Sequence, residues 1–455
     1  MDRTVLAVDI GTSSLKAALV TARGDIVASA RCRFPRTRRT PADWVAAFDE
    51  AVAILKAGDA AAAGGLAAVA VSGNGPTLVS VEPDGTPGEL LLWNAPVPQA
   101  IPEALDGAGA NASRSRSLFI PRILAFRDLF PSHYENARWI LSGPEYLIWH
   151  LTGNAVTILP EARFVDAYWT GADLASARLD ATKLAPFALT GEIVGETGAA
   201  GPSRGSLSAR GIRGGGSNSG EGFRRGADAL RAGIPIVAGG PDFTVALIGT
   251  GTIVAGKACD RAGTSEGLNV CTENPVSYPG VRPLPAAVSG LWNAAYLLPE
   301  TGADFNAYRR ESGQTTRSYP DLMAEIEASP IIPARGEPTH PGREAVEKIG
   351  FAVRKGIETL GAATGLNPEY CLSGGQARNE TWSRMKADIT GATFTLTATP
   401  DGELMGDAIA GFAATGEYAS VAEAAGTMVR VVRTYEPDPA RHALYTEKYL
   451  AHESI

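Results

Sequence analysis

The stretch Asp9-Ile-Gly-Thr-Ser-Ser-Leu-Lys16 sets an acid, a glycine and three small hydroxyl residues inside an aliphatic run from Val5 to Val20. Two readings fit it. As a β-hairpin, residues 5–8 and 15–20 are strands and the polar residues between them form the turn. As a phosphate site, Gly11 lets the backbone approach an anion, Thr12, Ser13 and Ser14 donate hydrogen bonds, and Asp9 faces a metal ion. Three later segments carry related chemistry. Gly239-Gly-Pro-Asp242 places an acid just beyond an apolar strand, where a carboxylate reaches into a cleft. Ala262-Gly-Thr-Ser-Glu-Gly267 is a second hydroxyl-rich turn, and Ser373-Gly-Gly-Gln-Ala-Arg-Asn-Glu-Thr-Trp382 leads into Ala387-Asp-Ile-Thr-Gly391. A fifth segment, Gly251-Thr-Ile-Val-Ala-Gly-Lys-Ala258, nearly matches a P-loop. It fails at Ala258, which has no hydroxyl for magnesium, and its middle residues have strand character.

Positioning such residues takes strands and helices in alternation. The pattern predicts a third strand over 26–34, a helix over 41–57, strands over 66–72 and 78–81, and a helix over 132–152. An apolar strand ends at the glycine pair 239–240, and residues 245–248 form a further apolar element. Then come a helix over 342–360, a strand over 370–373, a tight turn at Gly374-Gly375, a helix over 379–391, a strand over 393–397 and a helix over 402–416. This order predicts an α/β fold, and 455 residues predict two domains. Residues 198–226, rich in Gly, Ser and Arg, read as a mobile surface loop.

Charged residues make up 20% of the chain and apolar ones 45%, as in a globular protein that buries a core. A net charge of −8 disfavours a general nucleic-acid or anionic-membrane binder and favours a small-molecule partner. The four cysteines form no Cys-x-x-Cys pair and no zinc-like spacing with the five histidines, so they read as reduced thiols. No run approaches a membrane span, and the start does not read as a signal peptide; a cytoplasmic location is expected. Oligomeric state is not readable, and a homodimer stays open.

In combination, the segments resemble the FGGY family of carbohydrate kinases within the actin, hexokinase and sugar-kinase superfamily. The resemblance runs nearly end to end. Its most specific part is 373–411, with the glycine pair, Asn379, Trp382, Ala-Asp-Ile-Thr-Gly and Gly406-Asp-Ala-Ile-Ala-Gly411 in family order. The segments 117–126 and 144–153 resemble the family's Pro-Lys-Leu-x-Trp and Tyr-Leu-x(3)-Leu-Thr-Gly motifs. The resemblance implies two ribonuclease-H-like (actin-like ATPase) domains facing each other across a cleft. The first, residues 1–240, is expected to bind sugar, and the second, residues 241–455, to bind ATP. It implies that Asp242 is the catalytic base and that Asp9 orients Mg2+ through water. It further implies that Gly11, Thr12, Ser13, Ser14 and Lys16, together with Gly263, Thr264 and Ser265, meet the phosphates. Gly374, Gly375 and Asn379 would form the adenosine pocket. Four of these have a plainer reading too: Asp242, Thr264 and Ser265 as cap or turn residues, Lys16 as an exposed strand lysine.

The acceptor side departs from the family pattern. Where many pentulose kinases carry Gly-Gln-x-His-Gly and Trp-Asn-Asp-x-Arg, this chain has Gly73-Asn-Gly-Pro-Thr77 and Trp93-Asn-Ala-Pro-Val97. Asn74, Trp93 and Asn94 remain as sugar-site candidates, with turn or core packing as the alternatives. Xylulose is the default substrate expectation, and the lost polar groups weaken it. The rival reading is a catalytically degenerate sugar-binding or sensing protein of the same fold.

Overall fold

The computed structural model describes residues 3–35, 39–107, 117–198, 230–263 and 265–453. Thr264 and all of the Gly/Ser/Arg-rich stretch beyond Gly198 lie outside the described residues. The chain divides into two units, Met1–Val245 with Asp407–Ser420, and Ala246–Gly406 with Val421–Ile455. The sequence pattern suggests a single division at 240/241; in the structure residues 241–245 and the segment Asp407–Ser420 group with the first unit.

The first unit contains β1 (Thr4–Ile10), β2 (Ser14–Thr21), β3 (Ile26–Arg33), β4 (Leu66–Gly73), β5 (Leu78–Val81), β6 (Pro87–Leu91), β7 (Trp139–Leu141), β8 (Thr157–Leu159), β9 (Phe187–Leu189), β10 (Ile193–Glu196) and β11 (Pro235–Pro241). Its main sheet has the order β10-β11-β4-β1-β2-β3. β1, β4 and β11 run parallel, and the other pairings are antiparallel. Every residue of β1 and β4 is buried, as expected of central strands covered on both faces. The helix Pro41–Gly58 contributes Trp44, Phe48, Val52 and Leu55 to this core, at the helical spacing read from the sequence. Trp44 packs against Tyr146 of a second helix, Gly143–Thr152, with ring centroids 5.9 Å apart.

That second helix corrects the expected helix over 132–152. The segment folds as a short helix Pro131–Asn136, then β7, then the helix Gly143–Thr152. Pro144 has no N–H to give to a helix interior, so it sits at the start of a new helix instead. Glu145 completes that start by accepting the Ser142 N–H at 2.6 Å, and it also accepts the Ile158 N–H at 2.8 Å. Its full burial pushes the carboxyl up to about 7.

The second unit contains β12 (Ala258–Ala262), β13 (Glu266–Thr272), β14 (Arg282–Pro285), β15 (Trp292–Leu298), β16 (Tyr370–Ser373), β17 (Phe394–Thr397) and β18 (Val431–Tyr435). They form one sheet in the order β14-β15-β13-β12-β16-β17-β18, with β12, β16 and β17 parallel. The helix Pro341–Thr364 buries Val353, Ile357 and Leu360 against it.

The two sheets are built alike. Reading β3-β2-β1-β4-β11-β10 against β15-β13-β12-β16-β17-β18, each begins with antiparallel strands, continues through three parallel ones, and closes with an antiparallel edge. The turns Gly11–Ser14 and Gly263–Ser265 occupy equivalent hairpins. Each closes on a glycine N–H donated to a serine carbonyl, at 3.0 Å in the first and 2.8 Å in the second. The duplicated topology is the α/β arrangement that the resemblance implies.

The P-loop-like stretch is a turn in the order helix, turn, strand: it follows the helix Asp242–Gly249 and runs into β12. The strand expected for its middle residues is absent, and a phosphate-binding P-loop needs the reverse order, with its glycines opening a helix. Cys32, Cys259, Cys271 and Cys371 are buried and free. Burial pushes the Cys259 and Cys271 thiols up to about 11 and that of Cys371 to about 12, so these thiols stay protonated at neutral pH. Among the described residues no helix is long and apolar enough to cross a membrane.

Candidate active site

Both expected catalytic carboxylates stand at one edge of the first unit's sheet. Asp9 lies near the carboxyl end of β1, and the register places Asp9, Ser72 and Gly240 in one row across β1, β4 and β11. Asp242 follows directly, as the first residue of the helix Asp242–Gly249. Neighbouring strands are about 4.8 Å apart, so acids two strands apart stand on the order of 10 Å from each other. Carboxyl ends of parallel strands are where chain reversals leave room for ligands. Asp9 is 3% exposed, and Lys16, directly opposite on β2, brings Nζ to 3.1 Å from its Oδ2. Lys16 is therefore turned to Asp9 rather than standing as an exposed strand lysine. Asp242 is half-buried, and the neighbouring Phe243 packs on Phe164 with ring centroids 6.2 Å apart.

A third acid at this edge, Asp407, belongs to the Gly406–Gly411 motif, but the sequence pattern alone assigns it no role. It is fully buried and accepts the Ser72 hydroxyl at 2.6 Å. A Cβ on Gly239 would lie 2.2 Å from Asp407 Oδ1 and 2.6 Å from the Val71 carbonyl, so only glycine lets β11 pass here. The partner Ser72 lies 335 residues away, which no local pattern reveals.

The Gly11–Ser14 turn divides its labour. The Gly11 N–H is used inside the turn, and Ser14 is buried with its hydroxyl accepting from Arg31 Nε at 3.0 Å. Thr12 and Ser13 form the tip, with Ser13 exposed. Thr12 Oγ1 accepts from Asn74 Nδ2 at 2.9 Å and from the Trp93 indole N–H at 2.9 Å. With two donors on its oxygen, the Thr12 hydroxyl has its O–H left to donate. Thr77 completes the network, donating to Asn74 Oδ1 at 3.3 Å and accepting the Trp93 N–H at 3.0 Å. The expected sugar residues Asn74 and Trp93 are thus joined to an expected phosphate residue. Asn94 is exposed beside them.

Arg122, to which the sequence pattern likewise gives no role of its own, holds this loop cluster. Its guanidinium is largely buried and donates to the carbonyls of Pro76 at 2.9 Å, Ala95 at 3.3 Å and Leu92. Burial lowers its pKa, though an arginine keeps its charge at any physiological pH.

In the second unit, Gly263 and Ser265 flank Thr264, and the Gly263 carbonyl accepts from Gln376 Nε2 at 3.3 Å. Gln376 in turn accepts from Trp382 Nε1 at 2.8 Å. Gly374 and Gly375 follow β16 and lead into this contact, so the second turn and the glycine pair are neighbours. Asn379 caps the helix Glu380–Thr390, its Oδ1 accepting the Trp382 N–H at 2.9 Å. It is 6% exposed, so its cap role is direct and its adenosine role is not visible in the geometry.

The two-unit topology, with its duplicated sheet, recurs across solved kinases. The structure superposes with a TM-score of 0.78 on a xylulose kinase from Rhodospirillum rubrum, at 17% identity, over 99% of this chain and 98% of that one. A gluconate kinase from Lactobacillus acidophilus gives 0.78 at 16% identity, covering 100% and 97%. This is the fold of the FGGY carbohydrate kinases. A glycerol kinase from Plasmodium falciparum, solved with ADP, shares that carbohydrate-kinase fold at a TM-score of 0.73 and 14% identity, covering 100% and 98%. In sequence, the chain is 23% identical over 262 residues to an autoinducer-2 kinase of Escherichia coli K12, covering 48% of this chain. The chain spans about half the length of the curated relatives it matches, 49% for that kinase. No family model matches. The similar proteins are carbohydrate kinases, and the sequence resemblance and the fold agree.

Proposed function

We propose that the chain is a cytoplasmic, ATP-dependent kinase of a small sugar, ketose or polyol. The observation that supports this most is the placement of Asp9 and Asp242 at one sheet edge, beside the hydroxyl-bearing turn tip of Thr12 and Ser13. Phosphoryl transfer needs positioning and charge neutralisation more than covalent help, and one base at the acceptor hydroxyl completes it. In this reading the acceptor oxygen bonds to the γ-phosphorus, the bond from that phosphorus to the β,γ-bridging oxygen breaks, and ADP leaves. The hydroxyl proton passes to the Asp242 carboxylate.

Magnesium enters with ATP as substrate. Among the described residues no group of three or more His, Cys, Asp or Glu side chains could hold a resident metal ion. A single carboxylate such as Asp9 on the ion suits a magnesium that keeps most of its water and its phosphate oxygens. Lys16, with Nζ 3.1 Å from Asp9 Oδ2, neutralises part of the Asp9 charge. The turn tip at Thr12 and Ser13, and the turn between Gly263 and Ser265, would meet the phosphates, while Gly374 and Gly375 would let the nucleotide approach backbone.

The acceptor would lie against Asn74, Trp93 and Asn94, with xylulose the default among its candidates. Arg122→Met tests that placement, because it strips three loop carbonyls of their donor. The expected result is a rise in acceptor KM of about tenfold or more, with the ATP KM changed far less. Equal rises in both would remove the loop cluster from the acceptor site. The activity itself is checked by following ADP release from Mg-ATP with pentuloses, hexuloses, gluconate, linear polyols and glycerol. Turnover with one class supports the reading; acceptor binding without turnover by any of them favours the sugar-binding alternative.

A further inference from the structure

Lys386, Asp260 and Glu266 form a cluster in the second unit that the proposed reaction leaves unused. All three are at most 1% exposed. Lys386 Nζ donates to Asp260 Oδ2 at 2.5 Å and to Glu266 Oε1 at 2.6 Å. Lone charges in such a place are strongly disfavoured, and two carboxylates on one ammonium leave one negative charge in excess. The remaining oxygens, Asp260 Oδ1 and Glu266 Oε2, are buried and receive no donor among the described residues. Both carboxyl groups converge on the one ammonium. A proton on Asp260 would cancel the excess charge. Burial first, and Glu266 next, drive the Asp260 carboxyl well above the usual carboxylate range, against the opposing pull of Lys386.

The cluster stands where the second hydroxyl-rich turn is anchored. Asp260 is on β12, three residues before Gly263, and Glu266 opens β13 immediately after Ser265. Lys386 comes from the helix Glu380–Thr390, which starts beyond the glycine pair. The same helix supplies Trp382, whose ring lies 5.3 Å from Lys386 Nζ and whose indole N–H holds Gln376 against the Gly263 carbonyl. One buried ammonium therefore ties both stems of the turn to the helix behind it.

We propose that Lys386 is a positioning residue for nucleotide: with Asp260 and Glu266 it forms a buried ionic clamp that holds both stems of the turn between Gly263 and Ser265, the turn read as a phosphate contact. The inference rests on the reading of that turn as a phosphate contact. The other ionisable groups around the clamp are Cys259 beside Asp260 on β12, Tyr370 on β16, Tyr319 of the helix Tyr319–Ala328 and, through Tyr319, Arg309 of the helix Thr301–Glu311. Burial raises both tyrosines, so neither opposes the clamp at neutral pH. Arg261, adjacent in sequence, is paired with Glu403 at 3.0 Å.

A carboxyl whose pKa is raised on folding favours the folded state while protonated, and that contribution is lost as pH rises through the raised value. The clamp should therefore loosen as pH rises beyond the usual carboxylate range. The test is calorimetric titration of the intact protein with Mg-ATP and Mg-ADP from pH 6 to 10, beside unfolding midpoints, for the wild type, Lys386→Met and Asp260→Asn. Nucleotide affinity in Lys386→Met should fall tenfold or more at pH 7. Wild-type affinity should decline as pH rises across this range, and Asp260→Asn, a neutral isostere of the protonated acid, should remove that decline. If Lys386→Met does not fold, the Asp260→Asn pH profile decides. Unaltered affinity and pH profile in the variants, with only lowered midpoints, would overturn the clamp and leave the kinase reading standing. A wild type that binds neither nucleotide would overturn both.

Discussion

Asp242→Asn is expected to lower the phosphoryl-transfer rate by roughly 10²- to 10⁴-fold, the range in which a positioned general base acts. The loss should fall on kcat, because Asn is nearly the same size as Asp and can still contact an acceptor hydroxyl while being unable to take its proton. Stability should change little. Asp242 is half-buried in the first turn of the helix Asp242–Gly249, where Asn is also well tolerated. Measuring kcat, acceptor KM and the unfolding midpoint together separates the two uses of this acid. A lowered midpoint with unchanged kcat would mean that Asp242 serves only to begin its helix. A collapse of kcat at constant midpoint would assign it to the proton.

The placement of Asp242 is legible in the sequence because the signal is local: an apolar strand, two glycines, then an acid. The same holds for Asp9, where the hairpin and phosphate readings prove compatible, since the turn that closes on Gly11 and Ser14 also carries Thr12 at its tip. Ser14 illustrates the limit. Its residue type fits a phosphate donor, but strand alternation turns it inward to Arg31 on β3. Groups that act through distant partners are not legible at all. Asp407 meets Ser72, and Lys386 meets acids 126 and 120 residues earlier, so neither pairing has a spacing to read. The expected helix over 132–152 fails for a related reason. Trp139–Leu141 has apolar residues that suit either period, and its pairing with β5 decides for strand. The repeated sheet order is hidden because topology can recur while the side chains change.

The glycine pair allows the nucleotide side to be tested with two single-methyl changes. Gly374 adopts φ +90°, and a Cβ there would lie 2.4 Å from the Ala262 carbonyl oxygen. That carbonyl cannot yield easily, because β12 is fixed between β13 and β16 with Arg261 opposite Ser373. A left-handed conformation costs an L-residue about 1–2 kcal/mol, and an overlap of this kind adds about 1–3 kcal/mol. Gly374→Ala should therefore lower the unfolding midpoint of the second unit by on the order of 10 °C, with nucleotide binding weakened as β16 separates from β12. Gly375 differs: its φ is −64° and nothing lies within 4 Å of its added Cβ. Gly375→Ala should leave the midpoint unchanged or raise it by restricting the unfolded chain. A thermal melt and an ATP titration on both variants distinguish packing from binding. If nucleotide approaches the backbone at Gly375, the alanine methyl raises the ATP KM at full stability; if neither quantity moves, the pair shapes the turn through Gly374 and the nucleotide lies elsewhere.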